Sequence, residues 1–179
     1  SSDLLFSEVP DIQYKEGGSG GDRITRFLED NEFFNILIEG AEMNAALSGL
    51  FFKLDTDPDM MATPIVSVVT PYHALPEFQR GFLTAVTFWS EIKTDGRGKV
   101  WRLFEDRRRE NGQLAIRYKL FEGREDKIIR EVDLNSIEET ASLGLEDVAY
   151  SMDGLGCVYI PNMRPNRLQP GNPLGVSDF

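Results

Sequence analysis

An Asn-Gly pair at positions 111–112 separates two long runs of alternating residues, and this arrangement limits what the chain can fold into. Asn and Gly both tolerate the positive φ required at the two central positions of a type I′ turn, whose twist matches that of paired strands. The flanking runs, 100–108 and 113–121, are therefore expected to pair antiparallel as a long β-hairpin. Within the second run Leu114, Ile116, Tyr118 and Leu120 point to one face, while Ala115, Arg117 and Lys119 point to the other. One face of the resulting sheet should be wet. Further β-branched or aromatic runs, bounded by Pro and Gly, occur at 50–54, 65–69 and 82–89, with shorter ones at 127–132 and 157–160.

Helical spacing is confined to the first third of the chain. Asp22 is placed as an N-cap for a helix over 23–29, in which Ile24, Phe27 and Leu28 share a side. A longer helix is expected over 32–48. Phe34, Leu37, Ile38, Ala41 and Ala45 form its buried stripe, and Gly49 stands where a helix would end. Residues 133–139 read as a turn entering a short helix, and Pro165, Pro170 and Pro173 leave loop beyond Pro161. Because the strand runs follow one another instead of alternating with helices, the expected class is α+β: helices packed on a mainly antiparallel β-sheet with a long β-hairpin. The whole span 1–179 is read as one domain. Gly17-Gly18-Ser19-Gly20-Gly21 has the composition of a flexible joint. It is taken as an engineered linker replacing a longer loop, the alternative being a natural glycine-rich loop. A phosphate-binding loop fails, because no Lys-Ser or Lys-Thr pair follows the glycines.

Composition narrows the functional classes. With 19 Lys+Arg against 30 Asp+Glu, the net charge is −11 and the pI about 4.6, which disfavours tight nonspecific binding to phosphate backbones. An acidic protein can still handle DNA if its task is to let the polymer slide past. No apolar run approaches the roughly 20 residues of a membrane span, and the N-terminal residues do not form a signal peptide. A single cysteine, Cys157, excludes an internal disulfide and a cysteine-built metal site, and a single histidine, His73, leaves little zinc or triad chemistry. A reducing cytosolic origin is expected.

Each remaining constellation favours an unreactive reading. Asp55-Thr56-Asp57-Pro58-Asp59 opens like a calcium loop, but its sixth and twelfth positions hold Met60 and Val66 where Gly and Glu are needed. Glu138, Glu139, Glu146 and Asp147 are abundant acid without a spacing that sets two carboxyls across a substrate. His73 follows Pro71-Tyr72 with no partner suggested, and Cys157 lies in an apolar run as a buried, inert thiol. No catalytic residue, cofactor site or metal site is assigned. The one basic run, Arg107, Arg108 and Arg109, lies near the hairpin tip between Asp106 and Glu110. It reads as a solvated hairpin end, the alternatives being a subunit or capsid contact or a phosphate contact.

The order of segments adds a resemblance. Leu4-Leu5-Phe6-Ser7-Glu8-Val9-Pro10-Asp11-Ile12 resembles a segment near the front of tailed-bacteriophage portal proteins. It is followed by a helix pair ending in Ala45-Ala46-Leu47-Ser48-Gly49 and by the strand Leu50-Phe51-Phe52-Lys53-Leu54. Ile65-Val66-Ser67-Val68-Val69 comes next, with Pro71-Tyr72-His73-Ala74-Leu75-Pro76, and then a β meander. Ile160-Pro161-Asn162 precedes Asn172-Pro173-Leu174-Gly175-Val176-Ser177-Asp178-Phe179, which is similar to the stretch that leads into the portal stem. The resemblance spans nearly the whole chain and implies the outer wing of a portal subunit, without stem, clip or crown. It further implies a structural role in a ring, usually of twelve, at one capsid vertex of the virion, assembled in the cytoplasm of a bacterial host. Other portal subunits and capsid protein would be partners, as would terminase and head-completion proteins through regions beyond the wing, with double-stranded DNA passing through unbound. Another virion structural or adaptor module, and a small enzyme with an acidic carboxylate site, are the competing readings.

Overall fold

The computed structural model describes residues 12, 19–162, 166, 168–169 and 171–177. The chain divides into two compact units, Ser1–Pro71 with Gly156–Phe179, and Tyr72–Leu155. Both are built on antiparallel strands, and together with the helices they make the fold α+β.

In the first unit, helices α1 (Ser19–Asp30) and α2 (Phe33–Ala46) precede β1 (Gly49–Asp55) and β2 (Ile65–Val69), and β9 (Cys157–Pro161) returns from far along the chain. The strand order is β2-β1-β9. β1 is central because its apolar start is committed on both faces: Leu50 and Phe51 are buried, and the Phe51 ring lies 4.9 Å from that of Tyr159. Helix α2 rests on the Leu50 and Phe52 face. Gly40 permits this approach, since a Cβ there would stand 3.0 Å from the Phe52 ring.

Asn31 joins the helices to the sheet. Its Nδ2 donates to the carbonyls of Phe27 (2.9 Å) and Pro64 (2.8 Å), and its Oδ1 accepts from the Val66 backbone N–H at 2.7 Å. One buried side chain thus ends α1 and fixes the start of β2. At the other end of the unit, the Tyr159 hydroxyl donates to the Ser48 carbonyl and accepts from the Gly175 N–H, each at 3.1 Å. Val176 N–H donates to the Asn162 carbonyl. The chain passes so close to Ser48 and Asn162 that any Cβ on residue 175 would overlap their backbone atoms.

The second unit carries β3 (Ala74–Gln79), β4 (Phe82–Thr94), β5 (Val100–Glu110), β6 (Gln113–Arg124) and β7 (Lys127–Val132), in that order across the sheet. The short β8 (Val148–Tyr150) pairs with β6 over Leu114, Ala115 and Ile116. β5 and β6 pair from Glu110↔Gln113 to Val100↔Gly123. Asn111 and Gly112 have φ of 52° and 80°, as a type I′ turn demands, and Arg80 and Gly81 repeat the geometry at 50° and 83° between β3 and β4. Val86, Phe88, Leu114, Ile116 and Leu120 form the buried face, with Ile137, Thr140 and Leu155 buried in the same unit. The Thr140 hydroxyl donates to the Leu134 carbonyl, which ties the short helix α3 (Glu138–Ala141) to the 3₁₀ turn before it.

Several expectations are corrected. Helix α1 begins at Ser19, so Asp22 is a first-turn residue, where a carboxylate meets the positive end of the helix, and not the N-cap. Ser19, Gly20 and Gly21 of the expected flexible joint are helical; Gly17 and Gly18 lie outside the described residues. Helix α2 ends at Ala46, and Gly49 opens β1 at a φ of 154°, with the Tyr159 ring where its Cβ would be. In α2 only Gly40 is fully buried; the expected stripe is half-covered. β3 was not expected; it carries Pro76, which an edge strand accepts. Cys157 is partly exposed.

Replacing Asn31 with Ala leaves the Val66 N–H and the Pro64 carbonyl without this partner. The expected loss is about 1–3 kcal/mol, read from urea unfolding, with Asn31→Asp intermediate because it keeps the acceptor for Val66.

Candidate functional site

Pairing outward from Asn111-Gly112 decides which charges meet. On β5, Phe104, Asp106, Arg108 and Glu110 fall on one face of the sheet, with Thr87 on β4 and Arg117, Lys119 and Phe121 on β6. These eight residues line a shallow hollow of about 390 Å³. Its floor is aromatic: Phe104 stacks with Trp89 at 6.4 Å and meets Phe121 edge-on at 5.2 Å, and the His73 ring lies 5.0 Å from Trp89. The rim is charged.

The three arginines of the basic run fare differently. Arg108 donates to Asp106 through Nε (2.6 Å) and Nη2 (2.9 Å) and reaches Glu77 at 3.2 Å. Arg109 is exposed and contacts Asp153 at 3.4 Å. Arg107 lies on the opposite face, 1% exposed, with its Nε donating to Glu105 and its guanidinium 5.8 Å from the Phe88 centroid. For Arg107 the solvated hairpin end is therefore corrected. Arg107 sits mid-strand on the side of β5 that faces the core, and its carboxylate comes from two residues away on the same strand.

The same accounting extends over the sheet. Arg117 makes a bidentate pair with Glu110 (2.7 and 2.5 Å), Lys119 meets Glu131, and Glu122 takes both Arg130 and Lys99. Arg102, also buried, donates to Glu91 and to the carbonyls of Arg124 and Glu125, closing the turn between β6 and β7. Sequence reading placed Arg117 and Lys119 on the wet face without giving them a role, and did not single out Arg102. The signal was present for Arg117, because counting back from the turn sets Asp106 opposite it.

These pairs shift the titrations. The Arg108 hydrogen bonds hold Asp106 below the usual carboxylate range, against an opposing effect of burial, and Asp106 in turn raises Arg108. Arg117 does the same to Glu110, Arg130 and Lys99 to Glu122, and Lys93 to Glu139. The backbone N–H groups of Lys99 and Arg97 lower Asp95. A general acid needs a raised pKa, so Asp106 and Glu110, the two carboxylates in the hollow, are displaced in the wrong direction for proton donation at neutral pH.

Elsewhere, Asp57 caps the backbone of its own turn through Asp59 and Met60, and Asp147 accepts from the Tyr118 N–H. Glu138, Glu139 and Glu146 are exposed. No group of three or more His, Cys, Asp or Glu among the described residues is arranged to hold a metal ion. No helix among them is long and apolar enough to cross a membrane. Compared with known proteins, the chain matches no family model, and no curated protein is significantly similar to it.

Arg107→Ala removes the buried guanidinium that Glu105 meets and is expected to cost about 3–5 kcal/mol; the double change Arg107→Met with Glu105→Leu should recover most of that in the same unfolding assay. A second outcome concerns pH. Because Asp106, Glu110, Glu122 and Glu139 are depressed on folding, their contribution is full above the ordinary carboxylate range, about pH 4–4.5. It is lost as pH falls through the lower folded values. Urea midpoints recorded from pH 7 to pH 3 should drop below that range, and Asp106→Asn should flatten the drop.

Proposed function

We propose that this chain is the wing region of a tailed-phage portal subunit, a structural part of the ring through which DNA is packaged and ejected. The observation that carries the reading is the order of the segments Leu4 to Ile12, Ala45 to Leu54, Ile65 to Pro76 and Asn172 to Asp178 in one chain. Two features support it. Most cations of the second-unit sheet are engaged: Arg102, Arg107, Arg108, Arg109, Arg117, Lys119 and Arg130 each have a carboxylate partner, while Arg124 and Lys127 at the β6–β7 turn are exposed. A phosphate would have to displace these partners, which suits a surface past which DNA moves without being retained. The carboxylates of the hollow are likewise held ionised and paired, in keeping with a part that works by shape.

In this role the wing meets neighbouring subunits and capsid protein. Of the basic run, Arg108 and Arg109 are accessible for such a contact, whereas Arg107 is committed to the interior.

The test compares this chain with the product of the complete gene. Light scattering should give a monomer for residues 1–179, and electron microscopy should show an annular particle for the full product. A full product that never forms rings, or a gene that stops at residue 179, would overturn the reading. Double-stranded DNA at physiological salt should not be retarded by the chain in a gel; a saturable shift there would count against passive passage.

A further inference from the structure

The hollow on the β4–β6 face joins an aromatic floor to a rim of polar side chains held in fixed positions. Its volume, about 390 Å³, falls in the range of small-ligand sites, about 300–1,000 Å³. Phe104 and Phe121 line it, with Trp89 beside Phe104. Arg117, Glu110 and Lys119 keep 44%, 38% and 55% of their side chains exposed, so solvent reaches the rim. The rim also has hydrogen-bonding capacity to spare. Arg117 uses two of its five N–H donors on Glu110, and Arg108 uses three, two on Asp106 and one on Glu77. Glu110 accepts those two bonds, where an ionised carboxylate has about four lone-pair sites. Asp106 accepts three, the third from the Thr87 hydroxyl. Donors and acceptors therefore alternate above the rings, at positions set by their mutual pairing.

Charge selects the kind of ligand. Arg108, Arg117 and Lys119 are matched one for one by Asp106, Glu110 and Glu131. An ion of either sign would have to displace one of these partners and would meet its own sign in the same rim. A neutral molecule avoids both costs. A hydroxyl donates and accepts, so a single one can bond to the carboxylate and the guanidinium of the same pair. A proline-rich segment, the other common occupant of an aromatic groove, brings carbonyls but lacks the N–H donors that Asp106 and Glu110 would take. A pyranose ring supplies hydroxyls around its edge and C–H groups on its faces, whose slight positive charge suits the negative face of an aromatic ring.

We infer that this hollow binds a neutral carbohydrate, a short stretch of a hexopyranose chain, with sugar C–H groups against Phe104 and Phe121 and hydroxyls bridging the Arg117–Glu110 and Arg108–Asp106 pairs. Because those pairs are already formed, little side-chain freedom is lost when the sugar arrives. Ring formation plays no part in this recognition.

The experiment titrates the 179-residue chain by calorimetry and saturation-transfer NMR. Maltohexaose, cellohexaose and chitohexaose serve as neutral probes, and the hexamers of galacturonate and of glucosamine as an anionic and a cationic one. At least one neutral probe should bind saturably with a Kd below about 1 mM, with little change between low and physiological salt. Both charged probes should bind at least about tenfold more weakly. Arg117→Met, at an exposed position, should weaken the neutral probe at least about tenfold, and Phe121→Ala should do the same, with circular dichroism checking the fold of each. If Phe121→Ala unfolds, Arg117→Met decides. No saturable binding of any neutral probe, a charged probe preferred over all three, or binding untouched by Arg117→Met would each overturn the proposal, the last by placing recognition elsewhere on the chain.

Discussion

Placing an arginine within a sheet is the constraint around which the larger unit is organised. A guanidinium cannot lose its proton and cannot be left dry, so the three on β5 that are buried or half-buried have an acid within reach: Glu105 for Arg107, Asp106 for Arg108, Glu91 for Arg102. Glu105 and Asp106 stand two residues from their arginines on the same strand and share a face with them in any register, whereas Glu91 lies directly across from Arg102 and meets it in only one. A slip of a single residue would exchange the faces, carrying Arg107 and Glu105 together to solvent and Arg108 and Asp106 together toward the core. The cross-strand pair thus agrees with the register that the Asn111-Gly112 turn sets.

The first unit solves a different problem. Its three strands come from opposite ends of the chain, and the helices between them have little polar surface for orientation. Specificity is concentrated in two side chains, Asn31 at the joint of α1 with β2 and Tyr159 at the joint of β9 with the returning C-terminal segment. Each satisfies backbone groups from segments distant in sequence. Ordinary burial supplies the rest, with Phe51 against Tyr159 at the centre.

Legibility in the sequence follows from how local the determinants are. The strands at 100–108, 113–121 and 65–69 and the existence of two helices were readable because alternation, Asn-Gly and helical spacing act over a few residues. β3 was missed, and it carries Pro76, whose cost vanishes only if the strand lies at an edge, a fact about its neighbours. Gly49 was misread because a glycine after a helix and a glycine under a tyrosine look alike in one dimension. Arg107 carried a recoverable signal, since its alternation with Arg108 placed the two on opposite faces. Pairing alone could not say which face was dry. The aromatic floor of Trp89, Phe104 and Phe121 needed three strands in register before it existed at all.

Gly175 has a mechanical corollary. Its N–H is held by Tyr159, and the next residue by Asn162, directly beside the Gly49–Pro161 end of the β1–β9 ladder. Tension arriving along the chain at residue 177 would be handed to that end of the ladder, next to the point where α2 passes into β1 at Ser48. A pull applied there is thus transmitted to the helix pair through a few short hydrogen bonds instead of being dissipated in slack polypeptide, and the segment behaves as a linkage with little play.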